Sequence, residues 1–422
     1  MESLNLVFTI VSSIPPLAAI GFGYCLDRFG NWIIRSVILI VFLAGSLVTG
    51  FATPNKSWLL YLSLSLLNFG GFGILIANLT LGNLVPRYRA SIVTLISGAF
   101  DSSTIVFLVF YELYKTGVTY KNLFSVYSSL ISVAFVQTFF LTPKQRTPYV
   151  LPENYKYGYK ELLCFKKDNT LNDGRKSSVE LKNKNYNNFE NSDENPDNLT
   201  LKECIKEVYT WTEMIHYCVA HFVVTFFIGS FNSWIETKVS YDQIDSFITV
   251  FGILQCLGIV FAPISGLLID RLRIKFSKKI GLRLGSFKSV TILLFVNDFL
   301  VILMLTLSLI PNAEIQYITM SLQVISRAFV YSTAAAFANA VYPTSCFGVI
   351  YGITQAIGGI FLLLQYPVTL LLRRVLKNNF IILNSCLLGL VIACLAHPIY
   401  LMILIHRRAS KREVVNEKKT RL

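Results

Sequence analysis

The sequence predicts an all-α polytopic membrane protein, and three observations carry that reading. Apolar blocks of about twenty residues recur from 4–26 to 379–405. Hydrophobic residues make up 54% of the chain and charged residues 15%, with a mean hydropathy of +0.56. The Lys and Arg residues gather in alternate polar breaks between the blocks. A bilayer core takes roughly 20 helical residues to cross, and soluble domains do not repeat that length again and again. Dividing the chain by span and loop gives about 11 helices.

In order, the expected spans are 4–26, 32–52, 57–79, 91–114 and 121–141, then 211–235, 244–268, 289–310, 315–335, 347–371 and 379–405. Residues 1–141 form an N-terminal helical bundle and 211–405 a six-helix C-terminal bundle. The insert 142–210 is polar and nearly free of large apolar side chains, so a disordered linker is expected there. Residues 406–422 read as a basic tail.

The formal charge of +14 is explained by placement rather than by a nucleic-acid surface. Arg28, Arg35, Arg87, Arg89, the run from Arg271 to Lys288 and the tail lie on one set of breaks. The other set holds little beyond Lys56, Lys115, Lys121, Lys238 and the Arg373, Arg374, Lys377 cluster. The positive-inside asymmetry makes the first set cytoplasmic, together with the insert and the C-terminus. The Asn198-Leu-Thr200 sequon on that side is not expected to be glycosylated. Of eight cysteines, Cys25, Cys218, Cys256, Cys386 and Cys394 fall inside spans without CxxC or Cys/His spacing. They read as small buried hydrophobes, not as disulfides or a metal site.

A marker repeats. Gly23-Tyr-Cys-Leu-Asp27-Arg28-Phe-Gly30 closes the first span, and Gly266-Leu-Leu-Ile-Asp270-Arg271-Leu-Arg273 closes the seventh. The glycine allows two helices to approach, the aspartate can accept from a neighbouring helix N-terminus, and the arginine can meet acids or lipid phosphate. The pair resembles the signature loop of the major facilitator superfamily, found after its second and eighth helices. That resemblance implies two pseudo-symmetric bundles and a norm of 12 helices. On this register five spans precede the insert, so the superfamily's first helix has no counterpart and the sequence reads as a truncated or shortened form.

Longer stretches carry a finer resemblance. They are Ser97-Gly-Ala-Phe-Asp101-Ser-Ser, Thr147-Pro-Tyr-Val-Leu-Pro-Glu-Asn-Tyr-Lys-Tyr-Gly158, Phe227-Ile-Gly-Ser-Phe-Asn-Ser233 and Leu322-Gln-Val-Ile-Ser-Arg-Ala-Phe-Val-Tyr331. Together with Leu364-Gln-Tyr-Pro367 they are similar to solute carrier family 43. That family holds facilitative carriers of large neutral amino acids and a branch that equilibrates purine nucleobases. The first two stretches resemble the nucleobase branch more. The resemblance implies a sodium-independent uniporter of the plasma membrane. Large neutral amino acids are the alternative cargo, and a truncated, transport-inactive membrane protein is the second alternative.

Ionisable groups inside a span face a cavity or a partner by default. Asp101 and Ser102 share a helix face with Gly98, and the carboxylate would suit purine N–H donors, a proton or a neighbouring helix. Arg327, with Tyr331 one turn on, lies on a span that the resemblance makes cavity-lining. It reads either as a substrate contact or as a partner for Asp298, at similar depth in the preceding span. Asn232 and Asn78 are further candidates, with Gln355 and Gln365 as more remote ones. His216 and His221, five apart, share no face well and read as satisfied packing. No phosphate-binding loop and no catalytic triad or metalloprotease pattern is present, so neither ATP, a cofactor nor an enzymatic reaction is expected.

Overall fold

The computed structural model describes residues 2–144 and 200–420, apart from 54, 55, 57, 86, 87 and 343. Most of the expected linker, Asn198 and the Asp27 side chain therefore lie outside the described residues. Among those described, the regular structure is helical.

The first span is two helices, α1 (Glu2–Leu17) and α2 (Ala19–Phe29). Pro15 and Pro16 cannot donate backbone hydrogen bonds, and the chain steps at Ala18, whose N–H is shared between the Ile14 and Pro15 carbonyls. Gly30 then turns the chain into α3 (Asn31–Gly50) at φ 78° and ψ 172°, a region open almost only to glycine. The next elements are α4 (Leu59–Leu79), α5 (Arg89–Ser102), α6 (Ile105–Lys115) and α7 (Tyr120–Leu141). On α7, Val126, Leu130 and Val133 form an exposed stripe at helical spacing, the mark of a lipid-facing side.

The second bundle begins earlier than the sequence suggested. Thr200 and Glu203 form a reciprocal capping box that starts α8 (Leu201–Lys206), and α9 (Val208–Ile235) follows at once. Then come α10 (Tyr241–Cys256) and α11 (Gly258–Ile280), bent by 42° at their junction. Gly281, at φ 88° and ψ 160°, repeats the Gly30 turn and leads into α12 (Leu282–Leu309). Arg273 stands where the first motif has Gly30, and the turn comes later, at Gly281, because α11 runs on through Ile280. The remaining helices are α13 (Ala313–Val341), α14 (Thr344–Leu362), α15 (Gln365–Arg374), α16 (Phe380–Cys394) and α17 (Ala396–Thr420). The expected basic tail thus continues as helix α17.

Nine helices or helix pairs among the described residues are long and apolar enough to span a membrane, or ten with the bent pair α10–α11. The expected span at 315–335 falls in α13, which has the length at 29 residues. It lacks the composition because Gln316, Thr319, Gln323, Ser326 and Arg327 interrupt its apolar surface. That polarity is informative, since lipid would not tolerate it unpartnered.

Packing repeats between the halves. In the first, α3 lies against α4 and α7; in the second, α12 lies against α13 and α16. The two halves meet where α1 and α2 pack on α14 and where α5 packs on α11. These are the same contact under a pseudo-twofold exchange. At the signature end Asp270 Oδ2 accepts from the Ser91 backbone N–H (3.3 Å) and hydroxyl (2.8 Å). A carboxylate of one bundle therefore caps the first turn of α5 in the other.

Candidate functional site

The site grows from the place where α5 crosses the α10–α11 bend. A Cβ on Gly98 would stand 2.7 Å from the Gly258 carbonyl oxygen and 2.6 Å from the Ala262 Cβ. Only glycine permits that approach, which carries the next turn, Asp101 and Ser102, into the bend. Bending frees backbone groups, and Ser102 satisfies them from the opposite bundle. Its hydroxyl donates to the Cys256 carbonyl (2.9 Å) and accepts from the Ile259 N–H (2.7 Å).

Beside this bridge, Asp101 Oδ1 lies 3.0 Å from Arg327 Nη2 on α13, and both side chains are largely buried. The ion pair joins the two bundles. Asp101 Oδ2 accepts no hydrogen bond from any described residue. Arg327 Nη1 also donates to Gln255 Oε1 (3.2 Å), Gln255 Nε2 to Gln323 Oε1 (2.8 Å), and Gln323 Nε2 to the Val224 carbonyl (3.3 Å). One turn along α13, Tyr331 shares a 3.0 Å hydrogen bond with His221 Nε2. The Tyr217 ring lies 5.1 Å from that of His221, and its hydroxyl donates to Gln355 Oε1 (2.7 Å).

Four of the six candidate contact residues thus come together: Asp101, Ser102, Arg327 and Tyr331. Two do not. Asn78 accepts from Arg35 Nη1 inside the first bundle, where Arg35 also donates to Thr138 Oγ1 at 3.3 Å. A buried guanidinium has claimed that amide. Asn232 lies near the far end of α9 and is exposed. Of the signature residues, Gly266 packs against α5, Asp270 caps it, and Arg28 and Arg271 are exposed.

The pairing of Arg327 with Asp298 is not what the structure has. Asp298 Oδ1 lies 2.8 Å from His216 Nε2, and Glu213 Oε2 lies 2.7 Å from His397 Nε2. These pairs lie where α9 meets α12 and α17, so Asp298 serves the interior of its own bundle. His216 and His221 bond in different directions, as their spacing suggested, and His221 Nδ1 has no partner among the described residues. Gln255, Gln323 and Tyr217 escaped the sequence reading. The polar residues of α13 recur every three to four positions, and that stripe marks Gln323. Nothing comparable marks Gln255, the last but one residue of α10.

Chemically, the cluster offers a carboxylate with spare acceptor capacity, a guanidinium with further N–H donors, and aromatic rings alongside. It is equipped to hold a small flat or zwitterionic solute between two bundles.

A profile of the Major Facilitator Superfamily matches residues 2–364. The chain is 30% identical over 428 residues to "Equilibrative nucleobase transporter 1" of Bos taurus, covering 98% of this chain and 86% of that protein. It is 25% identical over 463 residues to "Large neutral amino acids transporter small subunit 3" of Homo sapiens, covering 95% and 82%. The Mus musculus protein of the same name is 22% identical over 429 residues, covering 86% and 76%. With its helical bundles, repeated packing and paired signature loops, the chain belongs to the major facilitator superfamily of multi-pass membrane transporters, and within it to solute carrier family 43.

Proposed function

We propose that this chain is a facilitative carrier of purine nucleobases, working by sodium-independent uniport with alternating access between its two bundles. One observation carries the reading: the Asp101–Arg327 pair bridges the bundles beside Tyr331 and His221. A purine presents N–H donors to a carboxylate, acceptor edges to a guanidinium and a flat face to aromatic rings. The bovine relative named as an equilibrative nucleobase transporter supports the same cargo. Asp101 and Arg327 contact the base on this reading, Tyr331 flanks it, and Ser102 keeps the α10–α11 bend in place. Flux follows the solute gradient, with reciprocal opening of the two ends around the central site. The charge of the basic breaks supports a cytoplasmic side for the signature loops and the C-terminus, and the plasma membrane is the proposed location.

A second reading keeps the carrier and changes the cargo to large neutral amino acids. Opposite charges at 3.0 Å also complement an α-amino acid's carboxylate and ammonium, and the two relatives named for amino-acid transport support it. Sodium-free uptake of labelled adenine and labelled leucine, side by side, separates the two. Saturable adenine uptake that Asp101→Asn abolishes in protein reaching the cell surface supports the first. Leucine uptake without adenine uptake replaces it with the second.

A further inference from the structure

Arg327 does not hold its own position. A guanidinium on a long side chain has several rotamers, and Asp101 engages only one of its nitrogens directly. The second nitrogen, Nη1, is held by Gln255, and Gln255 is held by Gln323. The Gln323 amide is anchored on the Val224 carbonyl, which can only accept. That anchor sets the direction of the whole relay. Gln323 must turn its NH2 to Val224 and its oxygen to Gln255, and Gln255 must then turn its oxygen to Arg327. Reversing either amide would set N–H against N–H in a buried place, where Gln323 and Gln255 are 0% and 7% exposed. The relay ties α9, α10 and α13 together next to the bend that Ser102 holds.

We propose that Gln255 and Gln323 are positioning residues that fix Arg327 to receive the exocyclic oxygen of a 6-oxopurine. This rests on the nucleobase reading. Guanine and hypoxanthine present O6 and N7 as two acceptors on one edge, which a fixed guanidinium matches with two N–H groups. Adenine carries an amino donor in place of O6, and its partner is a carboxylate such as Asp101. The relay therefore governs 6-oxopurines and leaves adenine to Asp101. The pairing of Arg327 with Gln255 becomes a determinant of selectivity between bases, separate from the ability to carry a base at all.

The test measures KM for hypoxanthine and for adenine in cells expressing wild type, Gln255→Leu, Gln323→Leu or Gln323→Glu, with surface protein quantified. Each leucine variant is expected to raise KM for hypoxanthine about tenfold while adenine KM changes less than about twofold. Gln323→Glu keeps an oxygen for Gln255 Nε2 but, as a carboxylate, has no N–H for the Val224 carbonyl, so it loses the anchor and is expected to raise hypoxanthine KM in the same direction as the leucine variants. Equal changes for both bases, or a loss confined to Vmax in all variants, overturn the positioning role. If a leucine variant fails to reach the surface, the other and Gln323→Glu decide the ratio. A wild type that carries neither base overturns the nucleobase reading itself, a result distinct from intact transport with unaltered selectivity.

Discussion

Neutralising Asp101 or Arg327 tests the inter-bundle ion pair by a double-mutant cycle of Asp101→Asn, Arg327→Gln and both together. The side chains are 4% and 15% exposed, so solvent screens them weakly. At an effective dielectric constant near 20, unit charges about 4 Å apart attract by ~4 kcal/mol. Removing one partner also leaves the other charge buried and unmatched, at a cost of about 3–5 kcal/mol. The double variant leaves no orphaned charge, and its expected cost is ~1–2 kcal/mol. SDS or thermal unfolding of purified protein reads the four corners of the cycle. The coupling expected is at least ~2 kcal/mol, well above the few tenths seen for independent sites. Additive single costs would refute the pair as a stabilising link between the bundles.

Other consequences concern single positions. Gly98→Leu drives a side chain into Gly258 and Ala262, and is expected to cost about 1–3 kcal/mol and to abolish uptake, read by unfolding and flux. Ser102→Ala leaves the Cys256 carbonyl and Ile259 N–H at the bend without their partner, costing about 1–3 kcal/mol by the same unfolding assay. His216→Phe strands the Asp298 carboxylate, and surface expression is expected to fall; His216→Phe combined with Asp298→Leu is expected to recover part of it. At the start of α8, the Thr200 backbone N–H and hydroxyl hold the Glu203 carboxyl below its ordinary range. Because that value is lowered, the cap's contribution is complete above the ordinary carboxylate range and is lost as pH falls through the lowered one. Hydrogen-exchange protection at Cys204 is expected to decline on acidification in wild type, and to be low and independent of pH in Glu203→Ala.

Much of the architecture was legible because crossing a bilayer imposes a length that composition reveals directly. The paired Asp-Arg loops required only the repeat. The interruptions were less visible. Pro15 and Pro16 announce the step in the first span, whereas the α10–α11 bend at Leu257 has no proline at the break, Pro263 falling later in α11. It is held open from outside by Ser102, a contact between residues more than 150 positions apart. The same distance hid the partner of Arg327. Depth within neighbouring spans pointed to Asp298, but the ion pair crosses to Asp101 in the other bundle, and Asp298 serves His216. Asn78 resembled a cavity amide until Arg35, a buried cation on the adjacent helix, took it. Side-chain chemistry marked which residues needed partners; the inter-bundle packing decided which partners they found.

The central claim is that the chain carries purine nucleobases passively. Purified protein reconstituted into sodium-free vesicles, with no pH or voltage gradient, should let labelled adenine equilibrate across the membrane without accumulating. Unlabelled adenine should compete, leucine should not, and Asp101→Asn vesicles should match protein-free ones. Leucine equilibrating while adenine stays outside, or adenine accumulating only when a sodium or proton gradient is imposed, would contradict the account.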